Sequence, residues 1–328
     1  MIRRLLLAAF LLPLSARAAD IQPAVLFDLG GKFDKSFNES VHNGAEAFTK
    51  STGIAVRDFE PHNDTQREQA LRTFARRGAD PVIAVGFNQA SAVKTVAAEF
   101  PQVRFVVIDA VVEAPNVQSI LFREEQGSYL AGMMAALASR TGTVGFVGGM
   151  DVPLIRRFGC GYVQGARAVN PKVSVLQNMT GSTPAAWNDP VRGAELARSQ
   201  IERGADVVFQ AAGATGMGVL QAAADAGKLG IGVDSNQNHL HPGHVLTSMV
   251  KELDVATETT LKAAQAGTWK PGTLVLGVKE NGVGLSFDDN NKDLVTADMR
   301  AKVEEARAGI AAGTLTVHDY MSDNACPN

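Results

Sequence analysis

Asp28, Asp109, Asp234 and Lys251 each stand at or just past the end of a short apolar run. A carboxylate accepts hydrogen bonds through two oxygens, which suits the vicinal hydroxyls of a sugar. A lysine among such acids keeps them ionised and donates to a further oxygen. Gly213 follows another apolar run, and Trp187, within Thr180–Pro190, and Phe209, at a strand end, offer rings for stacking. Each residue also has a plainer reading. Asp109 or Asp234 could cap the following helix, Lys251 could be a solvated charge, and the two rings could be core. The joint pattern is stronger than its parts, because ligands of open α/β sheets bind outside the carboxyl ends of strands.

The densest stretch is Asp28-Leu-Gly-Gly-Lys-Phe-Asp-Lys-Ser-Phe-Asn38. It follows the apolar run Pro23–Phe27 and precedes Glu39–Lys50, where Val41, Ala45 and Phe48 form a helical stripe. It therefore reads as a strand-to-helix loop. Gly30 and Gly31 permit a tight turn, Asp28 and Asn38 offer hydrogen bonds, and Phe33 or Phe37 offers a flat face. The local alternative is that Ser36 or Asn38 caps the helix and both rings are core.

Several enzyme signatures fail. There is no Walker-type Gly-x-x-x-x-Gly-Lys-Ser/Thr and no Gly-x-Ser-x-Gly elbow, and Gly213-Ala-Thr-Gly-Met-Gly218 has the wrong spacing for a dinucleotide fingerprint. His239, His241 and His244 beside Pro242-Gly243 read as a surface turn rather than metal ligands, since no cysteine or ordered carboxylate accompanies them.

The elements that must position these residues alternate. Candidate strands Ile54–Asp58, Pro81–Val85 and Arg104–Ile108 are separated by helices at about Thr65–Arg77 and at Gln89–Glu99. An extended segment Asn116–Phe122 leads into the small-residue helix Gln126–Ser139. The pattern then restarts with strands Thr143–Val147, Lys172–Met179, Asp206–Gln210, Gly230–Val233 and Val245–Met249, with helices between the first four and Val255–Gln265 after the last. Thr273–Leu285 reads as extended strands around Asn281-Gly282, and Thr296–Ala311 as a last amphipathic helix. Alternation of this kind predicts parallel sheets with right-handed crossovers, in an α/β class. Two arrays in succession predict two Rossmann-like lobes joined by a hinge, with crossings near Gln118–Gln126 and Met249–Asp254. The expected division is 19–122 with about 252–285 in lobe I, about 123–251 in lobe II, and 286–328 as a C-terminal segment on lobe II.

Met1–Ala18 carries Arg3 and Arg4, the apolar run Leu5–Leu14 and Ala16-Arg17-Ala18, the pattern of a cleaved secretory signal peptide. Loss of Arg3, Arg4 and Arg17 takes the formal net charge of −3 down by three, to −6. A mildly acidic exported chain has no electrostatic reason to bind nucleic acid or anionic lipid. Cys160 and Cys326 are the only cysteines. They form one disulfide or remain two buried thiols, and an oxidising compartment favours the disulfide.

Five motifs stand in order: Asp28-Leu-Gly-Gly-x-x-Asp-x-Ser-Phe-Asn38, Trp187-Asn-Asp-Pro190, Gly204-Ala-Asp-Val-Val-Phe-x-Ala-Ala-Gly213, Ile231-Gly-Val-Asp234 and Thr247-Ser-Met-Val-Lys251. Together they closely resemble the basic-membrane-protein (purine nucleoside receptor) family of ABC-transporter substrate-binding proteins, from about Ala24 to Leu285. The resemblance implies a type I periplasmic-binding-protein fold that closes on a nucleoside, no cofactor and no catalysis, and an inner-membrane ABC permease as partner of a monomer. It places Phe37 against the base, and Asp28 and Asn38 in polar contact with the ligand. Asp109, Asp234 and Lys251 fall on ribose-binding positions, with Gly213 allowing close backbone approach. Phe209 falls on the second stacking ring and Trp187 on a position closing the pocket. Many members are lipoproteins, whereas no cysteine stands near Ala18 here. The expected product is therefore periplasmic without a lipid anchor. A receptor for a sugar-like or flavin-like ligand, a nucleoside hydrolase and a signalling receptor are the rival readings.

Overall fold

A computed structural model describes residues 21–327. Met1–Ala18, expected to be a signal peptide, lies outside the described residues. The first array runs β1 (Ala24–Leu26), α1 (Phe37–Thr52), β2 (Arg57–Phe59), α2 (Gln66–Arg76), β3 (Val82–Ala84), α3 (Ala90–Glu99), β4 (Phe105–Ile108) and β5 (Val117–Phe122). After α4 (Glu124–Ala138) the second runs β6 (Thr143–Met150), α5 (Pro153–Val169), β7 (Ser174–Gly181), α6 (Pro190–Glu202) and β8 (Val207–Ala211). It continues through α7 (Gly216–Asp225), β9 (Leu229–Asp234) and β10 (Val245–Lys251), before α8 (Leu253–Gln265), β11 (Gly272–Leu276), β12 (Val283–Leu285) and α9 (Ala297–Ala312).

These strands form two sheets, ordered β11-β5-β4-β3-β1-β2 and β12-β10-β9-β8-β6-β7. The second repeats the first place by place, so β6 stands where β1 does and β9 where β4 does. Strand pairs are parallel except β10 with β12. β1, β3, β4 and β8 are buried along their whole length. Helices cover both faces of such a sheet, which is why these strands read as unbroken apolar runs rather than alternating ones.

The chain passes from the first sheet to the second after β5, through Arg123, and leaves the second after β10, through Glu252. A third crossing was not expected. β11 pairs with β5 in the first sheet, whereas β12 pairs with β10 in the second. Asn281-Gly282 therefore lies in a connection between the two sheets, and the last strand of the first sheet ends at Leu276. Gly282 suits the crossing, because a Cβ there would lie 2.4 Å from that of Leu276. In the segment after β12, α9 lies against α4 and Asn291 Nδ2 donates to the Leu246 carbonyl at 3.0 Å. Cys160 and Cys326 form a disulfide with Cα atoms 5.5 Å apart.

Small residues bring α4 and α5 into backbone contact. A Cβ at Gly132 would meet the Tyr162 carbonyl at 2.0 Å, and one at Gly165 the Tyr129 carbonyl at 1.8 Å. Gly165→Ala must push the helices apart and should cost about 1–3 kcal/mol, the range for overpacking. Urea unfolding should show a lower midpoint at unchanged slope; an unchanged midpoint would contradict this packing.

Candidate functional site

The loop after β1 is built around Asp34, which sequence reasoning passed over. Its carboxylate accepts from the backbone N–H of Ser36 (2.9 Å), Asn38 (3.0 Å) and Glu39 (3.1 Å). Asp34 thus satisfies the open amides at the start of α1, and neither Ser36 nor Asn38 caps that helix through its side chain. Asn38 instead clasps the loop, accepting from Asp28 N–H at 3.0 Å and donating to the Gly31 carbonyl at 3.2 Å. Ser36 is thereby free to reach the other lobe. Its hydroxyl donates to Asp234 Oδ2 at 2.6 Å, Ser235 Oγ donates back to the Ser36 carbonyl at 2.9 Å, and Gln237 Nε2 donates to the Lys35 carbonyl at 2.8 Å. The lobes are in contact along this seam.

Beside the seam lies a hollow of about 600 Å³, counting its open mouth. Asp28, Phe37, Asn38, Asp109, Trp187, Gly213, Asp234 and Lys251 all line it, together with Asp34, Phe87 and Phe158. Phe87 follows β3, so the strand-end rule that found the acids would have found it too. Phe158 projects from α5, where no such rule applies. Phe209 is a correction. It is wholly buried in β8 against Phe146 (5.5 Å between ring centres) and Tyr162 (5.3 Å), and does not line the hollow. Side chains alternate along a strand, and Phe209 points into the layer between sheet and helices rather than out past the strand end.

Asp109 and Asp234 occupy equivalent ends of β4 and β9, both with left-handed backbone, φ 64° and 62°. Aspartate tolerates that conformation better than most residues. Lys251, at the end of β10, is 1 % exposed; its Nζ lies 2.6 Å from Asp109 Oδ2 and 2.9 Å from Glu124 Oε1. The ammonium also lies over Phe122 at 4.8 Å and Phe37 at 5.1 Å. Burial pulls its pKa down, but Asp109, Glu124 and Asp234 outweigh that and hold it above the ordinary lysine range. Burial pushes Asp109 up to about 7 against the pull of Lys251. Burial also raises Asp234 against Lys251 and Ser36, and raises Asp34 to about 7 despite its three amide donors.

At another part of the wall, Asp28 Oδ1 accepts from Arg67 Nη2 at 2.9 Å, and burial raises its pKa against that guanidinium. Gly86 (φ 98°) is required there, since a Cβ would lie 2.5 Å from Asp28 Oδ2. Gly149 lets Trp187 lie against β6, where a Cβ would approach the indole to 2.2 Å. Two buried polar atoms in the wall, Asp109 Oδ1 and Trp187 Nε1, have no hydrogen-bond partner among the described residues. Among those residues, no group of three histidine, cysteine or acidic side chains could hold a metal ion. His239, His241 and His244 lie on the short helical turn and the loop between β9 and β10, apart from the hollow. The wall is therefore suited to binding a neutral ligand rich in hydroxyl and N–H donors around a flat, apolar body.

Two lobes with a hollow at their interface are the architecture of solute-binding proteins. The chain matches the Bmp family, described as ABC transporter substrate-binding protein PnrA-like, over residues 21–314, and belongs to that family. It is 32% identical over 321 residues to a CD4+ T-cell-stimulating antigen of Listeria monocytogenes, covering 91% of this chain and 88% of the relative. It is 30% identical to the ABC transporter nucleoside-binding protein BmpA of Lactococcus lactis, covering 91% and 89%. A Pyrococcus abyssi protein named as an uncharacterized lipoprotein is 34% identical, covering 81% and 69%. Among solved structures, an ABC transporter solute-binding protein of Aeropyrum pernix K1 superposes with a TM-score of 0.83 at 28% identity, covering 90% and 92%.

The acids fix the sign of a pH effect. Asp34, Asp109 and Glu125 are raised by burial to about 7. Their contribution to stability is complete below the ordinary carboxyl range and is lost as pH rises to about 7. His42 and His241, lowered by burial, act in the opposite sense only below the ordinary histidine range. The ligand-free protein should therefore melt at a higher temperature at about pH 6.5 than at about pH 8. A flat or reversed trend in a calorimetric scan would contradict the burial of these three carboxyls.

Proposed function

We propose that this protein binds a nucleoside, a purine nucleoside in the first instance, between its lobes and delivers it to an ABC permease without altering it. The observation that carries this reading is convergence. Asp28, Asp109, Asp234 and Lys251, spread over most of the chain, line one hollow with Phe37 and Trp187. Asp109 and Asp234 receive the ribose hydroxyls with Lys251 beside them, Phe37 lies against the base, and Asp28 and Asn38 meet its polar edge. Gly213 lets the backbone approach the ligand. The relative named for nucleoside binding supports this assignment.

Export to the periplasm is part of the same reading. Cleavage after Ala18 without lipid follows from the lack of a nearby cysteine, and the relative named as a lipoprotein makes lipidation the competing outcome. The intact mass of the exported product separates the two.

Calorimetry with nucleosides, free bases, ribose and flavins tests the ligand class. Asp109→Ala and Asp234→Ala should each weaken nucleoside binding by about 5- to 150-fold, the equivalent of about 1–3 kcal/mol for a lost buried partner. Unchanged affinity in both would overturn the site. Phe37→Ala should cost about 1–3 kcal/mol for a nucleoside and much less for free ribose. An equal loss for ribose would remove Phe37 from the base. Recovery of intact inosine after long incubation is expected; release of hypoxanthine would identify a hydrolase instead.

A further inference from the structure

The lysine in the hollow is itself held by groups that lead away from it to the end of the chain. Glu124, in the first turn of α4, places Oε1 2.9 Å from Lys251 Nζ, and its Oε2 accepts from Arg157 Nη1 at 2.9 Å. Arg157, on α5, donates through Nη2 and Nε to Asp319 at 2.6 and 2.8 Å and through Nη1 to the Phe122 carbonyl at 3.1 Å. Glu125 also faces Arg157 at 3.6 Å and is approached by Arg123 at 3.5 Å. The side chains of Lys251, Glu124 and Glu125 are 1 % exposed and that of Arg157 14 %. From Asp109 through Lys251, Glu124 and Arg157 to Asp319, charge alternates in sign without a break.

Asp319 belongs to a segment past residue 314, where the family match ends. That segment is fastened to α5 twice more. Cys326 is bonded to Cys160, one turn from Arg157, and Gln164 exchanges hydrogen bonds with the backbone of His318 at 2.9 and 3.0 Å. The same helix supplies Leu154, Ile155 and Phe158 to the hollow.

We propose that Arg157 is a positioning residue for Lys251, acting through Glu124, and that the segment 318–326 holds Arg157 in that role. Glu124 with no second cation would draw Lys251 wholly to itself. Arg157 supplies the second cation, so Lys251 remains shared with Asp109. The groups facing Lys251 are Asp109, Glu124 and Asp234, and those facing Arg157 are Glu124, Glu125 and Asp319. The inference rests on the reading that Asp109 and Lys251 touch the ligand only in its effect on affinity; the charge-sharing itself does not require a ligand.

Arg157→Gln, Arg157→Lys and Asp319→Asn, made in the full disulfide-bonded chain, test it in two ways. Carbon-13 NMR titration of the Asp109 carboxyl in the ligand-free protein should show its midpoint rising in Arg157→Gln and returning toward wild type in Arg157→Lys. Nucleoside affinity should fall about 2- to 30-fold in Arg157→Gln, the range for coupling through a packed network, and less in Asp319→Asn. An unmoved Asp109 midpoint in folded Arg157→Gln, or one that Arg157→Lys fails to restore, would overturn the proposal. If Arg157→Gln does not fold, a wild-type Asp109 midpoint together with wild-type affinity in Asp319→Asn would overturn it equally. A wild-type chain that binds no nucleoside defeats the proposed ligand, while the Asp109 titration still decides this inference.

Discussion

A lysine buried between two lobes is the constraint around which the rest of the molecule is arranged. Desolvating an ammonium costs several kcal/mol unless close counter-charges and hydrogen bonds offset it. Lys251 obtains counter-charge from both sides of the interface, a hydrogen-bonded Asp109 from the first lobe and Glu124 from the second. Taking away either carboxylate leaves the other pair unbalanced in a medium where water cannot compensate. Opening the lobes, by contrast, would expose Asp109 and Lys251 together, so both could exchange their partner for water. The pair is thus expensive to break by mutation and much less so by hinge motion, which is the property a closing receptor requires.

The duplicated topology explains why the site is nearly symmetric and where it is not. Equivalent strands β4 and β9 both end in a left-handed aspartate, and both turn a carboxylate into the hollow. β1 and β6 are equivalent as well, yet their loops diverge. Asp28 is buried against Arg67, whereas Asp151, just past β6, makes an exposed pair with Arg156. An exposed pair of that kind contributes little to stability. The glycine-rich loop of the first lobe, held by Asp34 and Asn38, is therefore where the two halves were specialised, and it brings Ser36 across to Asp234.

Much of this was legible in the residues. Fully buried parallel strands leave unbroken apolar runs, and the residues at their carboxyl ends are determined by counting, so Asp28, Asp109, Gly213, Asp234 and Lys251 could be gathered before any coordinates. Phe209 failed because a ring two residues inside a strand end is indistinguishable, by type, from one that clears it. β11 and β12 failed because two short extended segments around Asn-Gly look the same whether they pair with each other or complete different sheets. Glu124 and Arg157 gave no signal at all. An acid in the first turn of a helix is ordinary dipole complementation, and an arginine on an amphipathic helix is ordinary solvated charge; only the fold shows that Glu124 is buried, that Arg157 is largely covered and that the two face each other.

The wall also sorts ligands by charge. Four carboxylates, those of Asp28, Asp34, Asp109 and Asp234, face the hollow, and its one ammonium is already committed to Asp109 and Glu124. Arg67 reaches Asp28 from behind and is likewise engaged. A phosphate placed here would meet acceptors where it needs donors, and like charges brought together out of water cost several kcal/mol. A sugar hydroxyl meets the reverse situation, because each is a donor and the unpartnered Asp109 Oδ1 is an acceptor. If the proposed reading holds, the same acids that would accept from an uncharged ribosyl group would disfavour its phosphorylated forms, and selectivity of this kind needs no residue beyond those that bind.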